Sequence, residues 1–210
     1  MDIQTFVKSY WNYYLELEKR MEETRRFIEY DDYNFNAYSS NYLILFQAVC
    51  SEIDVVGKEI AAYFYPDIDS ENGTKPINRW WFEIQDSLIN INREVNFAES
   101  FMLRPWDKYR VVRVVSRQTR EGKEVEITKH NLQPKTNGIT YATPNWWNAY
   151  NKVKHKRVQI ESDGINYKKA NLKNIANAFA ALYLLESEFM KNISSVEEIA
   201  KFEQSKLFDL

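Results

Sequence analysis

The sequence predicts a mainly α fold, a helical bundle with a β-hairpin or extended insertion around residues 109–129, and three observations predict it. Glycine and proline are scarce, five of each in 210 residues, which long helices tolerate and a turn-rich β-sandwich does not. Apolar residues recur three and four apart through several long segments, the spacing of one helical face. Between Tyr109 and Lys129 the period changes to valine-rich alternation, the spacing of a strand.

Each element follows from its own pattern. Residues 2–29 read as a helix with Ile3, Val7, Tyr10, Tyr14, Leu17 and Met21 on one face. The Asp- and Asn-rich stretch 31–38 breaks it. Ser39 or Ser40 caps a second helix that runs to about Phe64 and ends at Pro66. Residues 66–77 form a loop, with Asp67 and Asp69 as loop and cap residues. A third helix covers about 78–90 with Trp80, Trp81, Ile84 and Leu88, and a short helix covers 94–103 before Pro105. The two strands of 109–129 turn at Arg120-Glu-Gly-Lys-Glu124. Pro144 opens a helix over about 145–158, and a loop through Asp163 and Gly164 follows. The helix over about 168–191 is apolar on several faces, as a central helix must be. Ser194 or Ser195 caps a short tail helix. The organisation is a single helical domain over 1–210 with an insertion at about 104–143.

Composition sets limits on function. A hydrophobic fraction of 44% supplies a core, and 15% aromatic residues exclude a disordered chain. Cys50 is the single cysteine, so neither an internal disulfide nor a thiolate metal site can form. No metal site and no cofactor are expected: the two histidines are His130 and His155, and no Gly-rich phosphate loop is present. No leader pattern and no apolar run of membrane-spanning length occur, so a cytoplasmic location without membrane contact is expected.

The charge is segregated. Residues 104–157 carry 13 Lys and Arg against 4 Asp and Glu, and the rest of the chain carries 15 against 26. A basic stretch interleaved with Trp106, Tyr109, Trp146, Trp147 and Tyr150 suits RNA, because cations neutralise phosphates and aromatic rings stack on bases. The same pattern also suits a basic segment that folds onto the acidic remainder or pairs with a second copy, with the aromatic residues in the core. Adjacent Trp146 and Trp147 cannot both point one way on a helix, so at least one is expected in the core.

The segment Pro144-Asn-Trp-Trp-Asn-Ala-Tyr-Asn-Lys-Val-Lys-His-Lys-Arg157 holds the candidate site. On a helix Asn151 and His155 lie one turn apart, flanked by Lys154 and Lys156. A neutral imidazole there serves as a general base. The plainer alternatives are a histidine that caps or packs at a helix end and an asparagine bonded to nearby backbone.

Asn151-x-x-x-His155 on a late helix, with basic flanks and a long apolar helix after it, resembles the HEPN helical domains of bacterial toxin–antitoxin and abortive-infection systems. The resemblance covers the helical outline and about seven residues of motif. Many members are metal-independent RNases that act as dimers through an Arg-polar-x-x-x-His motif. Here the polar position is Asn151 and the histidine is His155, while the arginine position holds Tyr150. Tyrosine lacks the cation that holds the scissile phosphate, so Lys154 or Arg157 would have to supply it.

The resemblance implies a defence or conflict protein that binds RNA and cleaves it without metal, as a homodimer. His155 would act as acid or base and Asn151 would orient the phosphate or the imidazole. Lys152, Lys154, Arg157, Trp147, Tyr150, Arg113 and Arg117 would bind RNA. The rival reading is a non-enzymatic interaction module whose basic 104–157 segment docks an acidic protein partner or a second copy.

Overall fold

The computed structural model describes residues 1–66 and 77–208. The expected loop at 66–77, with Asp67 and Asp69, lies outside the described residues apart from its two ends. The chain is mainly helical. A first helix, α1 (Ile3–Phe6), passes through a π-helical turn (Val7–Trp11) into α2 (Asn12–Glu23). The wider turn carries one extra residue. As a result Trp11, and not Tyr10, is fully buried beside Tyr14.

Ser39 accepts from the Tyr42 N–H and caps α3 (Ser40–Phe64). Helix α4 spans Ile77–Ile84, several residues shorter than the 78–90 expected from the pattern. The short helix expected at 94–103 is instead a pair of strands, β1 (Val95–Phe97) and β2 (Phe101–Leu103). Ala98 and Glu99 both adopt positive φ and turn the chain back, and Phe97 stacks on Phe101. Neither turn residue is glycine, so the sequence carries no turn signal there.

The second hairpin is long. β3 (Val111–Arg120) pairs antiparallel with β4 (Lys123–Leu132) through Glu121 and Gly122. Both turn residues have positive φ, the geometry of a two-residue turn that matches strand twist. The root is pinned: the Gln85 side-chain amide donates to Val111 O and its carbonyl accepts from Val111 N, at 2.9 and 3.1 Å. Arg110 forks onto Asp86. Beyond the root most hairpin residues are exposed on both faces.

Helix α5 (Asn145–His155) ends three residues before the position expected, because the chain leaves it for the short β5–β6 pair, Ile160–Glu161 with Gly164–Ile165. Asn171 caps α6 (Leu172–Ile193), and Ser195 caps α7 (Val196–Ile199). Residues Ala178 to Met190 of α6 are buried on every side. The helix touches α1, α2, α3, α5, α7 and the β1–β2 pair, so it is central to the core. No helix among the described residues is long and apolar enough to cross a membrane.

Candidate nucleic-acid interface on helix α5

Indole N–H groups place α5. Trp146 donates to Pro105 O at 2.8 Å, Trp106 to Ala181 O at 3.3 Å, and Trp81 to Tyr109 O at 3.2 Å. The rings themselves pack together: Trp81 stacks on Trp106 at 4.3 Å, and Trp106 meets Trp146 edge to face at 5.2 Å. A buried indole needs a partner for its N–H, so these bonds fix register as well as contact. The segment 104–110 is thus wedged between α4, α5 and α6.

Both tryptophans of the α5 pair are buried. Trp147 is 7% and Tyr150 6% exposed, and Tyr150 meets Phe46 edge to face. Trp106 and Tyr109 are buried too. Of the aromatic residues proposed for base stacking, only the rims of Trp147 and Tyr150 reach a surface, where they line a cleft of about 680 Å³. Burial raises the Tyr150 hydroxyl pKa, and the Lys154 ammonium over its ring, 5.4 Å from the centroid, partly offsets this.

The cleft is assembled from three helices. α3 contributes Ser51, Asp54 and Lys58; Ile77 and Asn78 open α4; Asn148, Asn151 and Lys154 come from α5, with Thr143 just before it. Trp80 Nε1 donates to Asp54 at 3.0 Å, and Asp54 also pairs with Lys58. Among the described residues Lys154 is therefore the lining cation that no lining carboxylate neutralises. Ser51, Asn78, Thr143 and Asn148 were not singled out in the sequence. Their separation along the chain gives no motif to find.

Asn151 lines the cleft and His155 does not. At 100° per residue His155 sits roughly 40° round the helix from Asn151, at the exposed C-terminal end. Among the described residues its side chain makes no hydrogen bond or ion pair. Lys154, His155, Lys156 and Arg157 form a continuous exposed ridge. Arg157 Nε donates to Val153 O at 3.4 Å. Lys152 lies on the other flank and is bonded to Glu161, which raises its pKa and lowers that of the carboxylate.

Arg113 and Arg117 lie apart from this ridge, on the hairpin. Arg113 pairs with Glu83 at 3.5 Å and covers the Phe82 ring. Arg117 is exposed opposite Glu126. Cross-strand pairing puts Val112, Val114, Ile127 and Val125 on one hairpin face with Lys129, Arg120 and Lys123, and no carboxylate shares that face.

Among the described residues no cluster of three or more His, Cys, Asp or Glu has the arrangement of a metal site. Cys50 is buried, and burial pushes its thiol pKa up. No family model, curated protein or solved structure matches the chain.

Proposed function

We propose that this protein is a HEPN-like helical bundle of a bacterial defence or conflict system that binds RNA along α5 and cleaves it without metal. The observation that carries the reading is the exposed ridge Lys154-His155-Lys156-Arg157, whose imidazole makes no bond among the described residues and whose first lysine borders the cleft holding Asn151. Clustered cations with no carboxylate partner favour a polyanion. In the proposed reaction His155 takes the proton of a ribose 2′-hydroxyl or delivers one to the leaving oxygen. Asn151 orients the phosphate, and Lys154 or Arg157 supplies the charge that the Tyr150 position lacks. A homodimer would cover Val158 and Ile160, which lie exposed just beyond the ridge.

Cleavage of total bacterial RNA with EDTA present tests this directly. Fragments from wild type and none from His155→Ala are the expected result. Intact RNA in both samples sinks the enzymatic reading.

A second reading rests on the hairpin. Val114 and Val125 are exposed on a cationic face of the hairpin. That combination suits a non-enzymatic module that docks an acidic protein partner or a second copy. Failure of the protein to bind RNA even at low salt favours it over the first reading.

A further inference from the structure

The lining of the α3–α4–α5 cleft has hydrogen-bonding capacity that the fold leaves unspent. Among the described residues the Asn151 side-chain amide and the Ser51 and Thr143 hydroxyls make no hydrogen bond. Asn148 commits one amide N–H to Thr143 O, at 3.3 Å, and keeps its carbonyl free. An amide presents a donor and an acceptor side by side, the complement of a nucleobase edge. Lys154 stands beside these groups as a single uncompensated cation, which matches the one negative charge of a phosphodiester. The volume, about 680 Å³, lies within the roughly 300–1,000 Å³ of small-ligand pockets.

We infer that this cleft receives one unstacked nucleotide of single-stranded RNA. Asn148, Ser51 and the Asn151 carbonyl read the base edge, while the Asn151 amide N–H and Lys154 hold the adjoining phosphodiester. The inference rests on the RNA-binding reading and adds where base discrimination arises. Trp147 and Tyr150 offer the base only their rims, so selectivity comes from hydrogen bonding and not from sequence-tolerant stacking. The hairpin and the α5 ridge then contribute affinity without discrimination.

The test uses the full chain and four dinucleoside monophosphates, one per base, with ribose 5-phosphate and inorganic phosphate as probes lacking a base. Binding is read from NMR shifts of the indole N–H signals. Wild type is compared with Asn151→Ala and with Ser51→Phe, which fills the cleft; thermal unfolding checks that both fold. The expected result is one dinucleotide bound about tenfold more tightly than ribose 5-phosphate, with the preference lost in both variants. Equal binding of all probes, or a preference unchanged in Ser51→Phe, overturns the inference. If single-stranded RNA binds wild type and both variants alike, with no base preference, the pocket is overturned and the RNA reading stands. If neither RNA nor any dinucleotide binds wild type, both fall.

Discussion

Gly57 on α3 and Trp80 on α4 touch so closely that a Cβ at position 57 would lie 2.6 Å from Trp80 Cε3. Trp80 is fully buried and tethered to Asp54, so its ring has no room to yield. Gly57→Ala gains about 1 kcal/mol of helix propensity. Overpacking costs about 1–3 kcal/mol, and here it wins because the neighbour is a rigid ring. Thermal unfolding should show a lowered Tm. Ring displacement should also loosen Asp54 and Lys58 at the cleft, visible as a shifted Trp80 indole signal. An unchanged Tm would show that the helices separate without cost.

Glu186 on α6 is fully buried, and neither carboxylate oxygen has a hydrogen-bond partner. Burial raises its pKa well above the ordinary 4.5, and the charge of Glu52 adds to the rise. Above about pH 4.5 the unfolded chain releases this proton while the folded chain holds it, so this group's contribution to stability falls as pH rises. Glu186→Gln should flatten the denaturation free energy between pH 5 and 8. Glu186→Met should raise stability at pH 8 by about 1–3 kcal/mol, since it removes an unsatisfied polar group. Equal pH slopes in wild type and Glu186→Gln would contradict this.

Lys152 and Lys154 are two residues apart and differ in what they hold. Lys152 is bonded to Glu161, whereas Lys154 lies over the Tyr150 ring and, among the described residues, pairs with no carboxylate. If α5 binds RNA, Lys154→Ala should reduce the slope of log affinity against log salt by about 1, and Lys152→Ala should change it little. Filter binding over a salt series decides. Equal slopes for the two variants would place the RNA elsewhere.

Glu18 organises the C-terminal segment. Its carboxylate accepts from the backbone N–H of Lys206 at 2.9 Å and of Leu207 at 3.2 Å, and from the Tyr14 and Ser205 hydroxyls. Trp11 Nε1 adds a bond to Glu203 O at 2.8 Å. Glu18→Ala strands these donors and should cost about 2–4 kcal/mol, as several unsatisfied groups at about 1–3 kcal/mol each, partly relieved by undocking. Limited proteolysis should then cut near residue 205 first. Resistance equal to wild type would show that apolar packing of Leu207 and Phe208 suffices.

The helices were legible where apolar spacing is regular. Tyr42 through Ile60 and Leu172 through Met190 keep one period, and the fold buries those residues. The Glu-Gly turn between the valine-rich runs marked the long hairpin, because positive φ favours glycine there. The reading failed where geometry departs without a compositional signal. A π turn put Trp11 in the place expected for Tyr10, and Ala98 and Glu99 turn a strand pair that reads as helix. For the site, spacing placed Asn151 and His155 one turn apart, and both are on α5. The cleft could not be read, because its walls come from residues 51 to 154 on elements that only tertiary packing brings together.

The Glu18 arrangement constrains how the chain is made. A ribosome adding about 5–20 residues per second needs roughly 10–40 s to go from Glu18 to Ser205. For that interval the buried carboxylate of α2 has the Tyr14 hydroxyl but lacks the Ser205, Lys206 and Leu207 donors, so the nascent helix keeps that face wet. Closure of the core around Tyr14, Tyr183 and Phe208 then waits for residues 203–208 to emerge, so α2 completes its packing only after α6 has been made.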